Sequence, residues 1–546
     1  MMRWHDYALL ALLSLAIFLP GLASVPPLDR DEPRFAEASR QMLESGDFVN
    51  IRFQDEARLK KPVGIYWLQS ASAAIFSHAG EDAIWPYRLP STLGAVMAVL
   101  LTAALGARLF GRTAGLAAAL MMATSILLGV EARLAKTDAV QLAAISAAQL
   151  VLARVYLERD RGEPASHREV VLFWLAVGIG MLIKGPIIVM VCGLSAAALA
   201  LWERRWRWLL ALKPWPYAGL AILVVLPWGL AIMLQSKGGF LAESVGHDLI
   251  GKVAGAQEAH GAWPGFFLAT FWATFWPCSL LAGLAIPWVW RRRRDDAVRF
   301  CLCWIAPSWL VFELVPTKLP HYTLPLFPAI ALLAAAAALE PFQQPAARRG
   351  KLLQGTLIAG WLVMTLTLCA ALPILPAVLE HRTDLLALFA GVAALLLFLA
   401  AFHGHRVGRQ HLAVASLIAA CLVFYATTYD RVMPQLDRLW LSSRVAEAVA
   451  RGKRCPHAEV TSAGFSEPSL VFLLGRDTRF GDGRAAAEAL LGDACALALV
   501  DQPSLAGFSA RLARAGKSAT ALATIDGINL ARGRRVALTL FAAGGS

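Results

Sequence analysis

The stretch Leu385–Phe402, LLALFAGVAALLLFLAAF, runs for 18 residues without a charged or hydrogen-bonding side chain. A run of that length and composition is typical of a helix that crosses a lipid bilayer. Similar runs recur through the first 430 residues. They predict thirteen spans, with approximate bounds 7–24, 86–109, 114–130, 137–157, 170–184, 186–202, 215–235, 264–289, 299–315, 320–339, 354–375, 384–403 and 410–427.

The overall composition agrees with a membrane protein. Hydrophobic residues make up 58% of the 546 residues and charged residues only 16%, and the mean hydropathy is +0.57. Soluble domains are about 45–50% apolar and about 25% charged. The net charge of +13 comes largely from basic clusters between the apolar runs. That distribution is typical of membrane topology rather than of nucleic-acid binding, so no nucleic-acid partner is expected.

The basic clusters also predict the orientation of the chain. Cytoplasmic connections of membrane proteins carry an excess of lysine and arginine, and every second connection here is basic. With a cytoplasmic N-terminus and an odd number of spans, the tail 430–546 lies outside. We expect a bacterial inner-membrane protein whose functional end faces the periplasm. Cys455 and Cys495 both fall in the tail, where they either form a disulfide or remain separate thiols.

Two parts of the chain are not apolar spans. The outer loop 25–85 contains two predicted helices, Pro33–Ser45 with an apolar stripe and Pro62–His78, which suits the membrane interface. The tail alternates short apolar runs with helical stretches, which predicts a small α/β domain. We therefore divide the chain into a transmembrane domain, 1–429, and a periplasmic α/β domain, 430–546.

Charged residues at the outer ends of spans are candidates for function, because charge at that depth is costly to bury. The segment Asp29–Arg34, DRDEPR, follows the first span and mixes three carboxylates with two arginines. Helix capping accounts for one of these carboxylates but not for all three. The second segment is Arg58–Pro62, RLKKP, in which Lys61 precedes a predicted helix. A cation at a helix N-terminus favours phosphate binding, and an interfacial anchor is the structural alternative.

Two further sites lie at short outer turns. In Glu131–Asp138, EARLAKTD, we expect Lys136 or Asp138 to contact substrate, although Asp138 also suits a helix cap. Lys184 stands alone at an outer break before Gly185-Pro186.

The last two sites are a proline-flanked turn and a long polar loop. Glu313–Tyr322, ELVPTKLPHY, favours phosphate or sugar binding, with an interfacial anchor as the alternative. The loop 236–263 carries carboxylates and histidines, among them His260, without the tight spacing of a structural zinc site. A divalent metal completed by other loops and a solvated polar loop both stay open. No cofactor is certain from the sequence.

Three of these segments share their pattern with a known family. Asp31–Glu37, DEPRFAE, followed by Gly46–Phe48, GDF, resembles that family's DE-x-R-Y-A-E and G-D-W elements. Lys61–Trp67, KPVGIYW, resembles a second element, and Thr317–Pro325, TKLPHYTLP, resembles its S-K-L-P-x-Y-x-L-P element. The family is that of the lipid A aminoarabinose transferases and related polyprenyl-phosphate-dependent enzymes, with protein O-mannosyltransferases as more distant relatives. The match covers approximately residues 1–340.

The resemblance implies a GT-C-type fold whose active site lies under the first long outer loop. It implies that Asp31 is the essential loop acid and that Asp138 is a second carboxylate near the site, to which we add Glu32 as a catalytic candidate. The cations expected to hold the donor phosphate are Arg34, Lys61, Arg58, Lys318 and Lys184. The residues expected to contact substrate are Tyr66, His260, His321 and Tyr322. Lys60 replaces an acidic residue of the family, which weakens the expectation of a metal there.

The implied function is transfer of a sugar from a polyprenyl-phosphate donor to lipid A, lipopolysaccharide or a related envelope acceptor. A protein hydroxyl as acceptor is the second hypothesis, with the same type of donor. A lipid or sugar transporter is the alternative of another class. Transporters tend to carry polar groups at the membrane midplane and paired repeats, and the predicted spans have few of the former and no repeat.

Overall fold

The computed structural model describes residues 2–28, 31–77, 83–160, 165–243, 261–340, 348–453, 455, 457–530 and 532–544. The described part of the first 430 residues is mainly helical. Its α-helices of six or more residues are α1 (Trp4–Phe18), α2 (Asp31–Ser45), α3 (Gly64–Phe76), α4 (Trp85–Leu109), α5 (Arg112–Thr124), α6 (Ile126–Glu131), α7 (Asp138–Leu157), α8 (His167–Lys184), α9 (Ile187–Glu203), α10 (Pro214–Gln235), α11 (Phe266–Thr274), α12 (Ser279–Arg291), α13 (Asp296–Leu314), α14 (Phe327–Ala338), α15 (Arg348–Glu380), α16 (Leu385–Arg406) and α17 (Gln410–Ala426).

Each predicted span coincides with one of these helices or with a broken pair of them. Within the described ranges, eight helical segments are long and apolar enough to cross a membrane. The others are shorter or interrupted. A 3₁₀ segment, Pro320–Leu326, precedes α14, and it carries prolines at both Pro320 and Pro325, which cannot donate the helical hydrogen bond. This segment packs against α6 and α7, which brings two of the predicted outer turns together.

Small residues let the central helices approach closely. A Cβ on Gly106 of α4 would lie 2.4 Å from the Cα of Gly115 in α5, and one on Gly94 would lie 2.8 Å from the backbone of Val140 in α7. Such contacts between small residues are a common means of packing helices in membranes. Helices α15 and α16, by contrast, are only 22% buried over their most apolar windows. The core of the bundle therefore lies around α4, α5 and α7.

The outer loop forms its own compact layer. It contains α2, a two-residue-per-strand hairpin of β1 (Arg52–Phe53) and β2 (Glu56–Ala57), and α3. Helices α2 and α3 correspond to the predicted helices Pro33–Ser45 and Pro62–His78, and their bounds differ from the prediction by up to two residues. Ser39 Oγ donates to Gln69 Oε1 at 2.8 Å and Ser70 Oγ donates to the Ser39 carbonyl at 2.9 Å. These bonds join α2 to α3.

The tail forms the predicted α/β unit. Its helices are α18 (Leu441–Gly452), α19 (Pro468–Leu474), α20 (Gly483–Gly492) and α21 (Leu505–Arg514), and its strands are β3 (Val460–Ala463), β4 (Arg479–Gly481), β5 (Leu497–Asp501), β6 (Ala519–Asn529) and β7 (Arg534–Ala543). The sheet order is β4-β3-β5-β7-β6. Strands β3, β4 and β5 are parallel, and β7 pairs antiparallel with β5 and β6. Cys455 and Cys495 form a disulfide.

Helix α19 attaches this unit to the outer loop. The Phe472 ring lies edge-on to Tyr87 at 5.9 Å, and the Arg40 guanidinium lies 4.8 Å above the Phe472 ring. Phe472 is fully buried. Gln54 in the hairpin also donates to the carbonyls of Arg476 and Thr478. The tail therefore covers the outer loop and closes the same end of the bundle.

Candidate functional site

A cavity of 590 Å³ lies between the outer loop, the turn after α6, the Pro320–Leu326 segment and the tail. Its volume is in the range of small-molecule sites. The membrane domain contributes charged residues to its wall, and the tail contributes a mixture of apolar and polar ones. The charged or titratable lining residues are Asp31, Arg34, Glu131, Lys136, His321 and Glu467.

Asp31 begins α2 and faces this cavity. Burial alone would raise the pKa of its carboxyl, but the positive charges of Lys136, Arg58 and Arg34 outweigh that effect, and the pKa is lowered. Arg34 lies three residues further along the helix and also lines the cavity. The predicted acid and one predicted phosphate-binding cation are therefore brought together.

Arg58 is held by aromatic side chains. Its Nε donates to Tyr66 Oη at 3.1 Å, and its guanidinium lies 5.1 Å above the Phe35 ring. Tyr66 is fully buried and does not line the cavity. The Tyr66 hydroxyl therefore holds Arg58 near Asp31, and the expected contact of Tyr66 with substrate stays a prediction.

Glu32 is occupied by a buried ion pair. Arg88 donates to it twice, from Nε at 2.7 Å and from Nη2 at 3.0 Å, and the backbone N–H groups of Leu28 and Ala135 also donate to it. Both Glu32 and Arg88 are almost fully buried. The geometry thus favours a structural role for Glu32 over the catalytic role expected from the sequence, because both of its oxygens are already bonded.

Asp138 and Lys184 are also paired. Lys184 Nζ donates to Asp138 Oδ1, and His321 Nε2 lies 4.0 Å from the same oxygen. Neither Asp138 nor Lys184 lines the cavity. The expected phosphate contact of Lys184 and the expected chemistry of Asp138 therefore have a structural alternative: the two charges neutralise each other behind the cavity wall.

The end of α6, the turn that follows it and the Pro320–Leu326 segment supply residues that face the cavity instead. Glu131 Oε1 lies 3.6 Å from Lys136 Nζ and 3.7 Å from His321 Nδ1. Glu131 is only 3% exposed, and its Oε2 has no hydrogen-bond partner within the described ranges. Sequence reasoning selected Lys136 and His321 but passed over Glu131. A carboxylate at the C-terminal end of a helix is electrostatically unfavourable, and that signal points to a function.

The other predicted residues lie elsewhere. Lys318 Nζ donates to the Val315 carbonyl at 3.0 Å, and Tyr322 packs with Phe312 at 6.4 Å. Neither residue lines the cavity, so the expected roles of Lys318 and Tyr322 find no support in this wall. Lys61 is half-buried three residues before α3 and is likewise absent from the lining.

Some predicted residues lie outside the described ranges, namely Asp29, Arg30 and most of the loop 236–263, including His260. Across the part of the chain that is described, no group of three or more histidine, cysteine or carboxylate side chains is arranged to hold a metal ion.

Comparison with known proteins agrees with this picture. Residues 60–230 match the family described as dolichyl-phosphate-mannose-protein mannosyltransferase. An undecaprenyl phosphate-alpha-4-amino-4-deoxy-L-arabinose arabinosyl transferase of Pseudomonas paraeruginosa is 31% identical over 61% of this chain, and one of Pseudomonas aeruginosa is 32% identical over 59%. These matches span 60% and 58% of the relatives' own lengths. The resemblance expected from the sequence motifs is confirmed.

The fold is shared over nearly the whole chain. The crystal structure of ArnT from Cupriavidus metallidurans bound to undecaprenyl phosphate superposes with a TM-score of 0.76 at 18% identity and covers 97% of each chain. The archaeal oligosaccharyltransferase AglB from Archaeoglobus fulgidus gives a TM-score of 0.51 at 11% identity, covering 91% of this chain and 69% of that one. The chain therefore has the predicted GT-C-type fold with a small C-terminal α/β unit.

Proposed function

We propose that this chain transfers a sugar from a polyprenyl-phosphate donor to lipid A or a related envelope acceptor, on the periplasmic side of a bacterial inner membrane. The observation that carries the proposal is the cavity that Asp31, Arg34 and Lys136 line together, with Arg58 close enough to act on the Asp31 carboxylate. The names of the similar proteins supply the class of donor and of activity.

The periplasmic placement is supported by two independent features. The disulfide between Cys455 and Cys495 lies in the unit that covers the cavity, and disulfides persist in oxidising compartments such as the periplasm. The basic loops lie at the other ends of the same helices: α7 begins beside the cavity at Asp138 and ends shortly before Arg159. Positive charge at that end favours a cytoplasmic location for it.

The cations suit the departure of a lipid phosphate. As the bond from the sugar to the phosphate breaks, negative charge collects on the leaving phosphate oxygen. Arginine and lysine side chains stabilise such charge by charge-assisted hydrogen bonds, and they do so most effectively in a site of low dielectric constant. Arg34 and Lys136 line the cavity, so they are assigned to the donor phosphate, with Arg58 held behind them by Tyr66.

Asp31 suits a role as base or as an orienting group. Its lowered pKa keeps the carboxyl ionised at neutral pH, so it accepts a proton rather than supplying one. An acceptor hydroxyl would lose its proton to Asp31 as the new bond to the sugar forms. An acceptor phosphate is already ionised, and Asp31 would then orient the acceptor or stabilise positive charge developing on the sugar.

A protein hydroxyl is the second candidate acceptor. It is favoured by the match of residues 60–230 to protein mannosyltransferases. The transporter alternative receives less support, because the ion pairs of the described residues gather at the two ends of the bundle rather than at its midplane.

The test compares lipid A by mass spectrometry from bacteria carrying the intact gene, a deletion and Asp31→Asn. A sugar-sized mass present only with the intact gene supports the proposal. Identical lipid A in all three strains would remove the lipid A acceptor, and a sugar lost from an envelope protein in the deletion strain would establish the second candidate. The purified protein is assayed in parallel with undecaprenyl phosphate-linked 4-amino-4-deoxy-arabinose as donor.

A further inference from the structure

We infer that Glu131 is the residue that contacts the sugar of the lipid-linked donor, accepting a hydrogen bond from a hydroxyl or ammonium group of that sugar. This inference rests on the proposed function and adds a division of the cavity to it. The donor phosphate lies against Arg34, and the sugar lies against Glu131, whose Oε1 is 3.6 Å from Lys136 Nζ.

The first observation is the unused hydrogen-bonding capacity of a buried carboxylate. Glu131 is 3% exposed, lines the cavity, and leaves Oε2 without a hydrogen-bond partner in the described part of the chain. Burying a carboxylate oxygen in that condition is costly, and buried polar atoms are nearly always bonded. A group that enters the cavity and donates a hydrogen bond removes that cost.

The second observation is the contrast with the other carboxylates of this end. Glu32 is bonded by Arg88, and Asp138 is bonded by Lys184. Glu467, from the tail, lines the same cavity but accepts from Asn529 Nδ2 at 3.0 Å. Among the described residues, Lys136 Nζ and His321 Nδ1 lie 3.6 Å and 3.7 Å from Glu131 Oε1, and both distances are beyond a normal hydrogen bond. Glu131 thus lines the cavity and keeps one carboxylate oxygen that has no hydrogen-bond partner among the described residues.

The third step concerns the kind of ligand group. A carboxylate only accepts hydrogen bonds, so it repels a phosphate and attracts hydroxyl or ammonium groups. A sugar provides such groups and a polyprenyl chain does not. Glu131 therefore distinguishes the sugar-bearing donor from the polyprenyl phosphate that leaves after transfer, which assists product release.

The decisive variant is Glu131→Gln, which keeps the size of the side chain and removes its charge. We expect the KM for undecaprenyl phosphate-linked 4-amino-4-deoxy-arabinose to rise about 10-fold or more, since a charged hydrogen bond becomes a neutral one. Binding of undecaprenyl phosphate, which has no sugar, should change less than about 3-fold. A purely structural defect would weaken the binding of both ligands to the same extent, and that result would overturn the inference.

Two further variants remove the remaining ambiguity. Glu488→Gln alters a carboxylate of the tail that lies away from the cavity and is paired with Arg511, and it should leave the KM for donor within about 3-fold of the wild type. Glu131→Asp keeps the charge but shortens the reach, so direct contact predicts a raised KM, whereas a role through charge alone predicts wild-type behaviour and contradicts the inference. If Glu131→Gln is unstable in detergent, Glu131→Asp alone carries the test.

A comparison of two donors identifies the sugar group that Glu131 contacts. With the ammonium-bearing donor, Glu131→Gln should lose about 100-fold in affinity if Glu131 contacts the ammonium, and about 10-fold if it contacts a hydroxyl. The affinity of Glu131→Gln for the hydroxyl analogue, undecaprenyl phosphate-linked arabinose, should fall about 10-fold in either case. Failure of the wild-type protein to transfer sugar refutes the proposed function, whereas an active wild type with an unchanged Glu131→Gln refutes only the inference.

Discussion

The two ends of the helix bundle use charge in different ways. At the basic-loop end, Arg159 donates to Asp296 at 2.8 Å, Arg154 donates to Glu158 at 2.9 Å, and Arg299 contacts Glu203 directly. At the cavity end, the charges come in two layers. The pairs of Glu32 with Arg88 and Asp138 with Lys184 are closely bonded, whereas the groups of Glu131, Lys136 and His321 stand 3.6–3.7 Å apart.

This difference separates charges that brace helices from charges that act on a ligand. A closely bonded pair has satisfied its hydrogen-bonding capacity within the chain, so it has little left for a substrate. A loosely paired group at a cavity wall keeps that capacity. The predictions below concern three groups, in order of decreasing expected effect. They are the charged residues that face the cavity, the closely bonded pairs Glu32–Arg88 and Asp138–Lys184 (the bracing layer), and the ion pairs of the basic-loop end.

The largest effect on activity is expected at Asp31. Asp31→Asn removes the ionised carboxylate that faces the cavity, and we expect sugar transfer to fall by at least about 100-fold, the lower range for loss of a base. The measurement is the turnover of lipid-linked donor by purified protein. Asp55→Asn, in the exposed turn of the hairpin of the same loop, is the matched control and should keep wild-type turnover. Equal activity of the two variants would remove Asp31 from the chemistry.

The next effect concerns stability in the bracing layer. Arg88→Met leaves Glu32 buried without its cation, and removal of one partner of a buried ion pair costs about 3–5 kcal/mol. We expect a clearly lower thermal unfolding midpoint in detergent. The double variant Glu32→Gln with Arg88→Met should recover part of the loss, because no unpaired charge is left. A single variant as stable as the wild type would show that the pair does not brace the outer loop.

The pair behind the cavity separates bracing from donor binding. Lys184→Met should lower both stability and transfer, because Asp138 is then buried without its partner. If the pair only braces, adding Asp138→Asn should restore the unfolding midpoint and return transfer to within about 10-fold of the wild type. If Lys184 binds the donor phosphate and Asp138 takes part in chemistry, as the sequence suggests, the double variant regains stability but stays inactive. Parallel unfolding and transfer assays distinguish these results.

The sequence predicted the bundle well because its signal is local. Runs such as Leu385–Phe402 need only length and composition to be recognised, and the two helices of the outer loop have amphipathic or proline-marked starts. The acid Asp31 and the cation Arg34 were found because they lie in one motif of the outer loop.

The sequence does not show which charged residues pair with each other and which remain available to a ligand. Glu32 stands next to Asp31, yet its partner Arg88 lies 56 residues away, and Lys184 is 46 residues from Asp138. Only the packing of α4 and α8 against their neighbours decides which charges are consumed by pairing. Glu131 was passed over for the same reason: its neighbour His321 reaches it through the proline-broken segment before α14. No motif in the sequence of the tail predicts that the tail forms part of the cavity wall.

The smallest effect is expected at the basic-loop end. Asp296 is 41% exposed, and its partner Arg159 has a second carboxylate neighbour, Glu203, at 3.5 Å. Asp296→Asn therefore leaves Arg159 with a partner and in contact with water, and partly exposed pairs contribute about 0.2–1 kcal/mol. We expect a barely lowered unfolding midpoint and unchanged donor KM and turnover. A loss of transfer comparable with that of Asp31→Asn would mean that the two ends are coupled through α7 and α13, and the separation of bracing charges from acting charges would no longer hold.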